Sequence, residues 1–195
     1  MKEKRTLIAC GIYQDEVERI LSTADQYDVE LIWLSAGLDN NLSLLESTLS
    51  RAITENQTRA GNGLRLMFGR ACLPNMTEFA AGHNIATLPD KNCIAALLGD
   101  QRKLELEKDK TMVVTPAWVR KMWLEPEGVK SILGWTEVDF RINLGRFDRI
   151  LVLDAGLNSL SDEEILEAFD LIQVPFEFEP CDLSRFQKVF LDFLA

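Results

Sequence analysis

Apolar positions along the chain alternate between two habits. "TLIACGI" (6–12) is a continuous apolar run, as a strand covered on both faces requires. "QDEVERILSTADQY" follows, with Val17, Ile20, Leu21 and Ala24 at helical spacing. "VELIWLSAG" (29–37) predicts a second buried strand, and "LSLLESTLSRAITENQ" a helix with Leu42, Leu45, Leu49, Ala52 and Ile53 on one stripe. "GLRLMFGRAC" (63–72) and "NIATLPD" (84–90) predict strands three and four. "NCIAALLGDQRKLELEKD" predicts a helix, and "TMVVTP" a fifth strand stopped by Pro116. The stretch from Ala117 to Arg146 reads as helix broken at Pro126 and Gly128. "FDRILVLDAG" (147–156) is a strand, and Ser161 with Glu164 has the spacing of a capping box opening a helix. "VPFEFEPC" predicts a short strand beginning near an edge at Pro175, and "LSRFQKVFLDFL" an amphipathic closing helix.

Strands alternating with helices predict an α/β fold: a mostly parallel open sheet with helices on both faces. Residues 7–37 and 150–180 share the order strand, short polar loop, acidic helix start and second strand. That echo predicts two pseudo-repeated, Rossmann-like lobes within a single α/β domain spanning 1–195. The lobes are 1–110 and 147–195, with a helical insertion at 116–146.

Composition narrows the setting. The chain has 195 residues, 47% of them hydrophobic, and no apolar run approaches the length of a membrane span. Its opening apolar stretch is too short for a secretory signal, so a cytoplasmic location is expected. A net charge of −10 argues against a nucleic acid partner, because phosphate binding depends on Lys and Arg. Arg120 with Lys121, and Arg141 with Arg146 and Arg149, read as solvated surface charge. Trp118, Trp123 and Trp135 read as core or subunit-interface packing, with a pocket wall as the alternative.

The candidate chemistry lies in the cysteines. Cys10, Cys72, Cys93 and Cys181 are widely spaced and form no C-x-x-C pair, so a disulfide framework is not expected in a reducing compartment. Ligands in open parallel sheets bind beyond the carboxyl ends of strands. Cys10 ends strand one, Cys72 ends strand three and Cys93 opens the helix after strand four, so three thiols fall on one rim if these strands are neighbours. Three thiolates would suit zinc or another thiophilic metal and leave one coordination position open. The helix start beneath Cys93 would lower its thiol pKa. Buried cysteine also serves as a small hydrophobe, the simplest account of Cys181 and of Cys10 taken alone. His83 reads as exposed or as a helix cap, with a fourth ligand or an acid/base as the alternative, and Asp90 or Asn92 as the cap for the Cys93 helix, with catalysis as the lesser option. No dinucleotide-binding glycine pattern is present.

"ACG" (9–11), "FGRACLPN" (68–75), "LPDKNCIAALLGD" (88–100) and "TPAW" (115–118) occur in the order and approximate spacing of a bacterial and archaeal family. In this respect the chain resembles domain of unknown function 1638, whose motifs are "ACG", "YGLC-x-NG", "P-x-x-HDC-x-x-LLG" and "TPGW". The resemblance implies that Cys10, Cys72 and Cys93 are the family's recurring cysteines. It further implies an association with corrinoid-dependent methyl transfer, and so a metal or metallocofactor role in one-carbon metabolism. Here Lys91-Asn92 replaces the His-Asp that precedes the family's cysteine, and Arg70, Pro74 and Asn75 alter the turn around Cys72. A metal-free thiolate enzyme and a non-catalytic binding or assembly protein are the rival readings. The partners expected are a small molecule or metal cofactor, and a protein partner or second copy through the Trp-rich 116–135 segment.

Overall fold

The computed structural model describes residues 3–126 and 128–195. The chain begins with β1 (Glu3–Cys10), α1 (Gln14–Leu21), β2 (Tyr27–Leu34) and α2 (Leu42–Ala60). It continues through β3 (Leu64–Met67), α3 (Met76–Gly82), β4 (Ala86–Thr87), α4 (Cys93–Leu98) and α5 (Asp100–Lys108). β5 (Thr111–Val114) leads into α6 (Pro116–Val119), a π-helical turn (Arg120–Leu124), α7 (Val129–Leu133) and α8 (Glu137–Leu144). β6 (Arg149–Asp154), α9 (Asp162–Ile172), β7 (Phe176–Pro180) and α10 (Ser184–Leu194) complete it.

The architecture is α/β and every strand pairing is parallel, as the buried-strand runs predict. The strands divide into two sheets, ordered β2-β1-β3-β4 and β5-β6-β7. β1–α1–β2 and β6–α9–β7 each form a pair of parallel neighbours followed by another helix. The helices at 116–144 belong to the connection between β5 and β6, which are adjacent in the second sheet.

Side chains of β1 alternate between two interiors, as a pleated strand demands. Leu7 and Ala9 face a core that also contains Ile150, Val152, Phe186 and Phe190, while Ile8 faces the α2 side with Leu45, Leu49 and Ile53. The first core gathers residues of both sheets together with α10. Phe186, Phe190 and Leu194 are wholly buried, a contribution of roughly 1.5–3 kcal/mol each. Arg5 fastens the helix end, its Nε donating to the Leu194 carbonyl at 2.7 Å.

Several local expectations meet a correction. The third strand stops at Met67, not near residue 72, because the chain leaves the sheet to bond another loop. The amides of Arg70 and Ala71 donate to the carbonyls of Asp90 and Lys91 at 3.0 and 2.8 Å. The fourth strand shrinks to Ala86–Thr87. Arg120 and Lys121 are not solvated charge: Arg120 grips Glu164 through its Nε and Nη2 groups, and Lys121 Nζ donates to the Gly11 carbonyl at 2.9 Å. Trp123 is only 1% exposed and meets Trp118 and Phe176 edge-on, so it packs the core and offers no surface to a partner. Ser161 and Glu164 form the capping box anticipated for α9.

Candidate functional site

The first sheet changes direction at β1: β2 lies on one side and β3 on the other. A crevice at the carboxyl ends of β1 and β3 follows from that order. Cys10 is the last residue of β1, and Cys72 lies in the turn that leaves β3. Cys93 is the first residue of α4, capped by Asn92, whose side chain accepts from the Ala95 amide at 3.0 Å. All three cysteines line one cavity of about 30 Å³, together with Tyr13, Asp39 and Asn92. That volume suits an ion or a water molecule.

Glycine makes the convergence feasible. A Cβ on Gly69 would stand 2.4 Å from the Lys91 carbonyl oxygen and 2.7 Å from the Asn92 Cα. The turn bearing Cys72 therefore lies directly against the loop bearing Cys93, with no room for a side chain between them. Gly37, at φ +76°, turns the chain after β2 and carries it toward Asp39. We expect Gly69→Ala to cost about 1–3 kcal/mol, measured by urea denaturation, because both opposing atoms belong to the main chain and cannot rotate away. A loss below about 0.5 kcal/mol would show that the two loops are not so closely seated.

The electrostatics of the cavity favour protonated thiols. Burial pushes the Cys10 and Cys72 thiols up to about 12, with Asp39 pushing in the same direction. Burial raises Cys93 further, and its two neighbouring cysteines and Asp39 add to the effect. The Ile94 amide at the start of α4 does lower Cys93, but burial outweighs it. The expected activation by a helix start is thus overturned: α4 has only six residues and the thiol is deeply set. Lys121 lowers Cys10 only in part. A thiolate nucleophile needs the opposite shift.

Tyr13 and Asp39 complete the lining. Tyr13 is 3% exposed, stacks on Phe186 at 5.2 Å, and its hydroxyl has no hydrogen-bond partner. Burial raises its pKa, with contributions from all three cavity cysteines, so the phenol stays a neutral donor beside them. Asp39 is exposed by area at the cavity rim, yet the protein around it removes enough water to raise its carboxyl above the ordinary range. Neither residue was singled out by sequence pattern. The available signals were a hydroxyl-bearing aromatic three residues after Cys10 and an acid two residues after the Gly37 turn.

The remaining candidates lie elsewhere. His83 is the C-cap of α3 and packs on Phe79 at 4.8 Å. Cys181 follows β7 and is raised to about 11 by burial, with Glu16 and Asp182 pushing in the same direction. Asp90 does not cap α4: its carboxylate is 7% exposed and accepts from Arg185 at 2.6 Å. Lys91 has an exposed side chain and contributes its carbonyl to the Cys72 turn. Among the described residues, no group of three His, Cys, Asp or Glu side chains forms a ready-made metal-binding set. No helix among them is long and apolar enough to cross a membrane.

Fold and cavity together define a two-sheet parallel α/β protein with three thiols gathered at a strand-end crevice. A family model described as "protein of unknown function (DUF1638)" matches residues 33–190, and the chain belongs to that family. Cys72 and Cys93 lie inside the matched span, and Cys10 precedes it. No curated protein matches the chain.

Proposed function

We propose that the protein binds a thiophilic metal ion, zinc being the simplest choice, through Cys10, Cys72 and Cys93. The observation that carries this reading is the shared cavity: three soft donors are among the residues that line a space of about 30 Å³. Two further features support it. The Tyr13 hydroxyl is buried without an acceptor, which a water or anion on the ion would provide. The thiols are held protonated by burial, and a cation supplies the positive charge their ionisation lacks. Among the described residues the sulfurs do not form a coordination set as they stand, so binding an ion requires them to draw together.

Bound there with three protein ligands, such an ion would offer an open position and lower the pKa of what occupies it. The chain's own contribution is specific. Tyr13 donates a hydrogen bond into the cavity, Asn92 fixes the start of α4, and Gly69 keeps the two cysteine loops in register. Methyl or other one-carbon transfer to a soft nucleophile is the reaction setting that such a site would serve. A corrin ring does not fit in about 30 Å³, so a corrinoid would have to sit outside the thiol cavity.

Cobalt(II) provides the test, because cobalt–thiolate bonds absorb strongly in the near ultraviolet. The wild-type protein should develop this band at one cobalt per chain, and the triple Cys→Ser variant should not. Tyr13→Phe should keep the band and bind cobalt about tenfold more weakly, as loss of a hydrogen bond to a ligand does elsewhere. Equal and featureless spectra for wild type and triple variant would defeat the proposal.

A further inference from the structure

The second sheet has a small cavity of its own, of about 10 Å³, beyond the carboxyl ends of β5 and β6. Asp15 and Glu16 line it from α1, and Asp154 from the last position of β6. Glu16 is the unusual member. It is 6% exposed, and its Oε2 is buried without a hydrogen-bond partner. Two other side chains share that condition among the described residues: the Asp90 carboxylate is already paired with Arg185, and Tyr13 belongs to the thiol cavity. The cations nearest to Glu16 and its neighbours are engaged, Arg120 with Glu164 and Lys121 with the Gly11 carbonyl. Burial pushes the Glu16 carboxyl up to about 7, and Asp15 adds to the rise against its own amide and Lys121. Cys181, within the electrostatic reach of Glu16 and Asp154, is raised too and brings no charge. A buried carboxyl oxygen ordinarily has a donor, and here the protein supplies none.

We propose that this cavity recognises a primary ammonium group, the head of a small alkylamine. Charge, size and donor geometry each select that ligand. Three carboxyl groups in one lining call for a positive partner. About 10 Å³ holds a single water-sized group, which –NH3+ matches and a guanidinium or a quaternary ammonium exceeds. Among the described residues these acids form no set able to hold a metal ion, so a cation with three separate N–H donors suits them better than a bare ion. Glu16 Oε2 takes one N–H. Asp154 and Asp15 remain for the others, since each has only one oxygen engaged, Asp154 by the Gly156 amide at 2.8 Å and Asp15 by Asn158 at 3.4 Å. Pro116, Ala117 and Leu157 add an apolar collar for the alkyl arm, and Leu157, at 38% exposed, leaves it open to solvent. The inference involves neither the three thiols nor a metal, and it stands or falls apart from the function proposed above.

Saturation-transfer NMR tests it with n-propylammonium, set against 1-propanol, which has the arm without the charge, and tetramethylammonium, which has the charge without N–H donors. At pH 8 and matched ionic strength the wild-type protein should transfer saturation to n-propylammonium and to neither control. Glu16→Gln keeps the shape of the side chain and should weaken binding by about tenfold or more, as loss of a hydrogen bond between charged groups does. Asp154→Asn should weaken it severalfold and gives an independent variant, with thermal midpoints showing that both are folded. Because Glu16 must be ionised to accept, wild-type affinity should rise by about tenfold from pH 6 to pH 8, and that of Glu16→Gln should stay level. No transfer to n-propylammonium would mean that the cavity holds water alone and would overturn the proposal. Equal transfer to tetramethylammonium, or binding that survives both substitutions unchanged, would overturn it as well.

Discussion

Arg185→Ala will destabilise the protein by about 3 kcal/mol, the lower part of the range for stripping one partner from a buried ion pair. The guanidinium is the clasp between α10 and the cysteine-bearing loops. Its Nη2 donates to Asp90 at 2.6 Å, and its Nη1 donates to the Ala95 carbonyl at 2.8 Å and also to that of Ala96. Asp90 is 7% exposed and its second oxygen already has no partner, so removing the arginine leaves an uncompensated carboxylate in the interior. The arginine itself is 39% exposed, which is why the upper part of the range is not expected. Adding Asp90→Asn to the variant removes the stranded charge and should recover about 1 kcal/mol or more. Urea midpoints of the three proteins measure both effects. A change below about 0.5 kcal/mol in Arg185→Ala would mean that α10 is held by its apolar face alone.

The second large effect concerns pH. Burial pushes the Cys10 and Cys72 thiols up to about 12 and raises Cys93 as well, which favours the protonated form of all three at neutral pH. Binding an ion as three thiolates must release those protons. Acidification favours the protonated, empty protein, and alkalinity favours the loaded one. The apparent zinc affinity should therefore rise by about a thousandfold per pH unit around neutrality, one factor of ten for each proton released. Competition against a chromophoric chelator at several pH values between 6 and 8, with the chelator's own protonation taken into account, gives the slope. A slope near one would mean that a single thiol ionises and that the other two are not ligands.

The existence of β1 and β6 was legible because parallel strands buried on two faces leave continuous apolar runs, as in "LIACGI" and "RILVLD". The capping residues of α4 and α9 were legible for a local reason: a cap bonds to amides within three residues of itself. The meeting of Cys10, Cys72 and Cys93 could be inferred from their places at strand and helix ends, but only as a consequence of strand adjacency. The division into two sheets could not be read, since hydropathy records that a strand is covered and not which strand lies beside it. Strand three looked too long because Phe68 is buried just past its end and continues the apolar run into a turn. Lys121 was misread because a charged residue that bonds a distant carbonyl carries no local mark, and its partner, Gly11, is 110 positions away. Tyr13 was missed because a buried tyrosine ordinarily finds an acceptor, and only coordinates reveal that this one has none.

The proposed function depends on one soft cation held by sulfur. X-ray absorption at the zinc edge, on protein loaded with one equivalent of zinc, addresses that directly. Three sulfur neighbours at about 2.3 Å and one lighter ligand are predicted, falling to fewer sulfurs when any one of Cys10, Cys72 or Cys93 is replaced by serine. A shell made only of oxygen and nitrogen, or zinc that washes away from the wild-type chain, would contradict the account.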